Sequence, residues 1–171
     1  MIRLLLLASV LLSSYCWSKD SIKVFAQHEF NDTDTITSIG MSRSLLQANS
    51  KVQGEVLTSL GYAEVMDKNQ TIQHFVTSDL GIRLGYYDKV FVYLEGGIDL
   101  LEILVQDFRD DDDYYYDEDS DNTPDGYAAL GVGVDTGAFK LEGFIKARNI
   151  DTDAWDSEHH LFYGLQLSLS F

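Results

Sequence analysis

Cysteine, basic residues and long apolar runs are all scarce in this sequence. The one cysteine, Cys16, lies within the first eighteen residues, so the rest of the chain has no disulfide and must be held together by backbone pairing and packing. Only 12 lysines and arginines oppose 28 aspartates and glutamates, which gives a net charge of -16, and the bases do not cluster. Because neutralising phosphates requires clustered bases, the composition excludes a nucleic-acid-binding protein.

The lack of long apolar runs restricts how this chain can meet a membrane. No run of 18 or more apolar residues follows the first eighteen positions, whereas a helix needs about 20 of them to cross roughly 30 Å of hydrocarbon. A membrane protein made from this chain would therefore have to be a β-barrel, because a closed barrel is the other fold that satisfies every backbone polar group in lipid.

The first eighteen residues are typical of an export signal. Arg3 supplies a basic start, residues 4–12 are apolar and uncharged, and small residues follow. This apolar stretch is too short to span a bilayer as a helix, so we expect residues 1–18 to be a cleavable Sec-type signal peptide. Cleavage is predicted after Ser18, with the site after Cys16 as the alternative. Residues 19–171 then form one domain, because they are too few to form two separate hydrophobic cores of ordinary size.

Residues 19–171 are dominated by a period of two, in which large apolar residues alternate with small or polar ones. This pattern is typical of β-strands, and runs of nine to thirteen residues match the length of a tilted strand that crosses a bilayer. It is clearest at the C-terminus, where Leu161, Tyr163, Leu165, Leu167, Leu169 and Phe171 form one face, and His160, Phe162, Gly164, Gln166, Ser168 and Ser170 form the other. We predict eight strands at residues 21–30, 35–46, 51–63, 75–86, 89–105, 127–135, 138–149 and 160–171.

The connections alternate in length, and one strand changes phase. Short turns are predicted at residues 47–50, 87–89 and 135–137, and longer polar loops at 31–34, 64–71, 106–125 and 151–157. An outer-membrane barrel with both termini in the periplasm would place the short turns there and the longer loops outside. The alternation shifts phase near residues 98–103, which predicts a β-bulge or an extension beyond the membrane.

The contents of the two faces indicate which one points outward. The polar face carries glycines and charges of both signs, which suit the narrow interior of an eight-stranded barrel. The charges predicted to lie in this lumen are Asp79, Arg83, Lys140, Glu142, Lys146 and Arg148. A soluble, lipocalin-like periplasmic barrel is the alternative, but it would have to bury the six large residues of the last strand. Some tyrosines should join aromatic girdles at the membrane interfaces; the candidates are Tyr62, Tyr86, Tyr87, Tyr93, Tyr127 and Tyr163.

These features together resemble the small outer-membrane β-barrel families, the opacity-protein-like and OmpA/OmpX-like proteins. The resemblance covers the whole chain after the export signal, and it implies an all-β, eight-stranded antiparallel up-and-down barrel in a bacterial outer membrane. It also implies that the final strand, with Tyr163, Leu165, Leu167, Leu169 and Phe171, is the signal read by the barrel-assembly machinery. The chain lacks the C-terminal cell-wall-binding domain of the OmpA-like proteins, which argues against a peptidoglycan role.

A strongly acidic segment occupies residues 106–125. It contains ten acidic residues and a single base, Arg109. The simplest interpretation is a solvated outer loop whose charge keeps it off anionic lipopolysaccharide. A calcium site is the alternative, because Asp117, Asp119 and Asp121 have the first, third and fifth spacing of a calcium loop. Asn122 stands where that loop has glycine, however, and Ala128 where it has glutamate. We expect no other cofactor.

Two groups of side chains are candidates for binding. Tyr114, Tyr115 and Tyr116 lie within the acidic segment, and exposed tyrosines offer contact area for a host or surface protein or glycan. Alternatively, they extend a hairpin above the membrane. His28, His159 and His160 are predicted to meet near the outer end of the seam between the first and last strands, beside Glu29 and Glu158, where they could bind zinc or assist hydrolysis of outer-leaflet lipid.

No catalytic motif is evident, so we predict a non-enzymatic outer-membrane barrel with a structural or surface-interaction role. It would contact outer-membrane lipid and lipopolysaccharide through its apolar face. The alternatives are a lipid-modifying outer-membrane enzyme, a narrow small-solute pore and the soluble lipocalin-like barrel. A general porin is disfavoured, because paired side chains leave little room inside eight strands.

Overall fold

The computed structural model of the protein describes residues 22–45, 51–66, 71–101, 126–149 and 159–170. It has eight strands, each paired antiparallel with the next, and β1 also pairs with β8, so the sheet closes into a barrel. The strands are β1 (Ile22–Phe30), β2 (Thr35–Ser44), β3 (Val52–Met66), β4 (Ile72–Tyr86), β5 (Val90–Asp99), β6 (Gly126–Asp135), β7 (Phe139–Asn149) and β8 (His159–Ser170). The predicted fold class is confirmed, and each predicted strand is present.

No helix among the described residues is both long and apolar enough to cross a membrane.

Alternating side chains separate an apolar outer face from a buried interior. On β8, Leu165 is 59% exposed and points outward, whereas Phe162 on the opposite face is 0% exposed. The same alternation of exposed and buried residues runs through the middle of β1, β3, β5, β6 and β7. The prediction that the large aliphatic residues of the last strand face outward is therefore confirmed, whereas the soluble lipocalin-like alternative would place them inside.

The strands are tilted and their register is staggered around the barrel. Following paired residues from His28 leads to Val76 on β4 in one direction and to Tyr86 in the other. These two positions lie ten residues apart on the same strand. Such a stagger is what closes an eight-stranded sheet with the strands inclined by about 35–45° to the barrel axis.

The two ends of the barrel differ in shape. At the end with the short turns, neighbouring strands stop together, as in the terminal pairs Val52–Tyr86 and Val90–Val134. At the opposite end, which we call the loop end, β3 and β4 are 15 residues long and reach farthest. Pairing of β4 with β5 stops at Asp79–Asp99, so β4 extends beyond β5 over residues 72–78.

One predicted connection differs in kind from the structure. The predicted polar loop at residues 31–34 is a tight turn, in which the Asn31 side-chain oxygen accepts the backbone N–H groups of Thr33 and Asp34 at 2.9 and 2.8 Å. The Asp34 carboxylate in turn accepts the N–H of Met66 at 3.0 Å. The predicted short turn at residues 47–50 lies outside the described residues.

The phase change near residue 98 marks the end of β5. No bulge interrupts the pairing of β5 with β4 or β6 up to Ile98, and residues 102–103 of the region with the predicted bulge or extension lie outside the described residues. Asp99 ends the strand, because its carboxylate accepts the backbone N–H of Leu101 at 2.9 Å and thereby caps a helical turn at Leu100 and Leu101.

Candidate functional site

The inside of the barrel carries the densest set of charged groups in the described part of the chain. All six side chains predicted for the lumen lie there and are at least 90% buried: Asp79, Arg83, Lys140, Glu142, Lys146 and Arg148. Sequence reasoning missed four more buried charges on the strands, namely Lys23, Glu29, Glu55 and Glu95. The sequence pattern could have identified them, because each occupies an inward-facing position in the alternation of its strand. The alternation of apolar and polar residues in those strands is weak, however.

Arg83 is at the centre of one ion-pair cluster. Its guanidinium donates to Glu95 and to Glu142, each at 2.8 Å, and also to the side-chain oxygen of Gln166 at 3.2 Å. The Arg83 carbon Cζ lies 3.8 Å from the centroid of the Tyr93 ring, a distance at which a cation is attracted to the ring face. The planar fork of arginine allows one side chain to link strands β4, β5, β7 and β8.

Arg148 is at the centre of a second cluster, closer to the loop end. It donates to both carboxylate oxygens of Glu29, at 2.8 and 2.7 Å, and to both of Asp79, at 3.0 and 2.6 Å. Lys146 donates to Glu29 at 3.0 Å and lies 3.9 Å from Glu95. Because Glu95 also contacts Arg83, the two clusters form one continuous network across the interior.

A third group of charges lies toward the short-turn end. Lys23 donates to Glu55, and Lys140 lies 3.2 Å from Asp135. The Lys140 ammonium is also 4.9 Å from the centroid of the Tyr87 ring. The residues of this group are buried or half-buried, and each described lysine and arginine that is buried in the barrel has an acidic partner. Pairing is what makes buried charge tolerable.

An exposed ion pair at the same end differs from these buried ones. Lys51 donates to Asp88 at 2.9 Å, and both side chains are more than half exposed. The hydrogen bond from Lys51 lowers the pKa of the Asp88 carboxyl, and the bond to Asp88 raises the pKa of Lys51. Solvent screens such pairs, so this one contributes little to stability.

Aromatic rings fill the space that glycines leave on neighbouring strands. A methyl group added to Gly164 would lie 2.1 Å from the Phe144 ring, and one added to Gly131 would lie 2.2 Å from the Tyr93 ring. Phe91 is placed over Gly133 in the same way. Since real side chains do not approach this closely, these glycines are needed so that the rings can pack against the barrel wall.

The loop end of the interior is apolar. Ile36, Ala63, Val65 and Phe162 are each at most 1% exposed and form one cluster, against which Phe75 packs. In this cluster, which we call the apolar plug, Ile36 pairs with Glu29 and Phe162 pairs with Lys146. The plug therefore places apolar groups beside the buried ion pairs, and such low-polarity surroundings strengthen them electrostatically.

The spaces left inside are small. The void among Asp79, Glu95, Tyr127 and Lys146 measures about 10 Å³, and the one beside Thr77, Asp99 and Arg148 about 20 Å³. A water molecule needs roughly 10–15 Å³ by the same measure, so each void holds about one water at most. The larger depression at the short-turn end, about 410 Å³, is an open surface lined by Tyr87, Lys89 and Lys140 among others. Neither interior void is large enough for a solute.

The structure separates the predicted histidine cluster. His28 pairs with Leu165 of β8, and Phe30 with Tyr163, so His159 and His160 lie beyond the paired part of the seam. His28 points to the outer face, where it hydrogen-bonds Thr37 at 2.9 Å. His160 pairs with the inward-facing Arg148 and shares its face. The expectation that these histidines meet is therefore wrong, and the described residues contain no group of three metal-binding side chains.

Tyrosines divide between the two faces. Tyr62, Tyr86 and Tyr163 are about half exposed on the outside, where girdle residues belong. Tyr87, Tyr93 and Tyr127 are instead buried in the interior among the charges. The remaining candidates lie outside the described residues: the signal peptide at residues 1–18, Phe171, the acidic segment, Tyr114, Tyr115 and Tyr116, and the calcium candidates Asp117, Asp119 and Asp121.

The similarity of this chain to known proteins is one of fold. No protein-family model matches the chain, and no curated protein matches it. A solved structure with the same architecture is the crystal structure of the N-terminal β-barrel domain of Pseudomonas aeruginosa OprF, which has a TM-score of 0.50. The sequences are 14% identical, and the match covers 88% of this chain and 97% of that chain. At this identity the likeness concerns the fold alone. The chain therefore has an eight-stranded barrel fold of the outer-membrane type, similar to that of the OprF domain.

Proposed function

We propose that this protein is a non-enzymatic barrel of a bacterial outer membrane, with a structural or surface-interaction role. The observation that carries the proposal is the arrangement of the two faces. Large aliphatic residues such as Ile39, Leu94 and Leu165 are 59–65% exposed around the outside, while the charges are buried and paired within. A protein in water would expose charge and bury these aliphatic residues, whereas hydrocarbon favours the reverse.

The two faces also bear on the enzyme and pore alternatives. The voids beside Lys146 and Arg148 are each about the size of one water, so a solute pathway through them would require the ion-pair network and the apolar plug to move. The described interior charges are already engaged with each other, and Lys140 borders only the open depression at the short-turn end, not an enclosed cavity. These features favour an anchoring role over transport or catalysis.

The proposal extends to parts of the chain outside the described residues. Export uses the signal peptide at residues 1–18, and the last strand, ending at Phe171, is read by the barrel-assembly machinery. The outer face contacts lipid and lipopolysaccharide. The acidic segment at residues 106–125 faces the exterior, where Tyr114, Tyr115 and Tyr116 contact a surface protein or glycan and Asp117, Asp119 and Asp121 attract calcium.

Membrane fractionation of cells expressing the full chain tests the location. We expect the protein in the outer-membrane fraction, with gel mobility that changes on heating because a folded barrel resists detergent. Recovery in the soluble periplasmic fraction would contradict the proposal. Unchanged lipid A by mass spectrometry and no conductance in planar bilayers are expected as well, and a modified lipid or steady channels would favour the enzyme or the pore.

The two loop contacts are tested separately. Calorimetry with millimolar calcium should give heat from the purified protein and none from a variant in which Asp117, Asp119 and Asp121 are changed to asparagine. Equal or absent heat in both would end the calcium proposal. Changing Tyr114, Tyr115 and Tyr116 to serine should abolish binding to bacterial or host-cell surface glycans on an array, and unchanged binding would reject the tyrosine contact.

A further inference from the structure

The loop-end part of β4 has no neighbouring strand on one side among the described residues. Pairing of β4 with β3 continues to Met66–Ile72, but pairing with β5 stops at Asp79–Asp99. One side of the segment Ile72–Thr77 is therefore a strand edge within the described part of the chain. We call this segment the β4 edge.

The direction of the backbone groups can be assigned from one hydrogen bond. Ser78 donates its backbone N–H to the carboxylate of Asp99 at 3.3 Å, on the side of β5. Because backbone groups alternate sides along a strand, the N–H and C=O groups of His74 and Val76 point the same way as those of Ser78. Asp99 thus takes the place of a strand partner for Ser78, and no described strand does so for His74 and Val76.

The lengths of β3 and β4 place the β4 edge above the membrane, in water. Ten residues of tilted strand rise about 25 Å, close to the apolar band of an outer-membrane barrel, whereas 15 residues rise about 38 Å. The strands stop together at the short-turn end, so the excess length of β3 and β4 projects at the loop end. An open sheet edge is also not tolerated in hydrocarbon. This independent argument likewise places the β4 edge outside the membrane.

The sequence of the β4 edge does not protect it from pairing. Proteins usually guard edges with lysine, proline, bulges or short strands. The β4 edge contains none of these residues, it pairs regularly with β3, and His74 and Val76 are exposed. Isoleucine, phenylalanine, valine and threonine also favour extended backbone. The β4 edge therefore has the properties of a strand template rather than those of a blunted edge.

The charge at the loop end indicates which kind of partner the β4 edge would bind. The intervals at the loop end, residues 31–34, 67–71, 100–125 and 150–158, contain 18 acidic residues and only two bases, Lys68 and Arg109. Glu64 and Asp99 lie at the margins of the β4 edge itself. An extended segment rich in lysine or arginine would be attracted, whereas an acidic one would be repelled.

We propose that the β4 edge binds an extended, basic segment of a partner protein, which adds to the barrel sheet as a further strand. Backbone hydrogen bonds to His74 and Val76 would supply the pairing, and the acidic surroundings would supply the preference for a basic sequence. The inference rests on the proposed surface role, because a soluble partner must reach the loop end from outside the cell.

The test uses the purified full-length mature chain in detergent and a fluorescein-labelled peptide of four Lys-Val repeats, with binding followed by fluorescence anisotropy. Two matched peptides separate the contributions: Glu-Val repeats change only the charge, and Lys-Pro repeats keep the charge but cannot donate along a strand. We expect both to bind at least tenfold more weakly. Equal binding of the Lys-Pro peptide would overturn the proposal, because attraction to acidic loops alone would then suffice.

Variants of the β4 edge test the site. Val76→Pro removes an N–H on the open side and leaves the bonds to β3, so binding of the Lys-Val peptide should fall at least tenfold. His74→Pro should do the same, and Val76→Thr, which keeps the N–H and the branched shape, should bind within twofold of the parent chain. Heat-dependent gel mobility reports that each variant is folded. If both folded proline variants bind like the parent, the proposal is wrong.

A final variant asks whether the chain covers its own edge. Replacing residues 107–125 with a short Gly-Ser linker should weaken binding of the Lys-Val peptide, because it removes ten of the 18 acidic residues at the loop end. A rise of more than tenfold would show that the chain itself occupies the β4 edge, which overturns the proposal. These measurements use purified barrel, so their failure is distinct from failure of the outer-membrane location, which fractionation alone decides.

Discussion

Removing Arg83 is the sharpest test of the buried network. In Arg83→Gln, Glu142 loses its 2.8 Å cationic partner and keeps hydrogen bonds to neutral hydroxyls, those of Tyr93 and of Ser168 at 3.3 Å, while Glu95 keeps Lys146 at 3.9 Å. Breaking a buried ion pair from one side costs about 3–5 kcal/mol, because a charge is left without compensation. Since one of the two carboxylates retains a cation, we expect a loss near the middle of that range, about 4 kcal/mol.

The assay is reversible urea unfolding in detergent, followed by far-ultraviolet circular dichroism and by gel mobility. A loss of about 4 kcal/mol corresponds to a roughly thousandfold shift in the folding equilibrium. Adding Glu142→Gln to Arg83→Gln should restore part of the loss, with a coupling energy of about 0.5–3 kcal/mol. The matched control is Asp88→Asn, which breaks the exposed pair with Lys51 and should not change the midpoint measurably. If Arg83→Gln is no more destabilising than this control, the interior is solvated and the reasoning fails.

Three further changes test the packing of the barrel. Gly164→Ala brings a methyl group against Phe144 and should lower the free energy of unfolding by about 1–3 kcal/mol in the same urea assay. Adding Phe144→Leu to the same chain should recover part of this loss. A Gly164→Ala variant as stable as the parent chain would refute the packing of the ring over the glycine. Phe162→Ala opens the apolar plug and should cost about 3–5 kcal/mol, so a loss under 1 kcal/mol would mean that the plug is loosely packed. Leu165→Arg, near the middle of β8, should cost about 2–4 kcal/mol in vesicles, against about 0–1 kcal/mol for Leu161→Arg near the loop end; equal costs would argue against a membrane around β8.

The fold could be predicted from the sequence because the alternating pattern of a β-strand occurs eight times. Strands such as β8 alternate so strictly that each side chain can be assigned to a face, and a shift by one residue would reverse the whole assignment. The interior charges on β4 and β7 could be placed for the same reason. Where alternation was weaker, as on β1 and β3, the inward charges Lys23, Glu29 and Glu55 were missed.

The features that failed depend on contacts between distant segments. Where β1 meets β8 is set by the stagger of the whole barrel, which no local pattern encodes, and so His28 was wrongly placed beside His159 and His160. The phase change after Ile98 is a strand end fixed by the side chain of Asp99, which a reading of periodicity alone cannot distinguish from a bulge. The interior tyrosines were also ambiguous, because girdle and lumen positions both accept aromatic rings.

Spin labels on β8 test the central claim most directly. The chain after residue 18 has no cysteine, so single cysteines can be introduced and labelled at Leu165 and Leu167, and at Gln166 as the inward control. In lipid vesicles, electron paramagnetic resonance should show high collision rates with oxygen, which dissolves in hydrocarbon, at positions 165 and 167, and low rates with oxygen and with a water-soluble relaxant at 166. Oxygen contact at 166 together with aqueous contact at 165 and 167 would contradict the account.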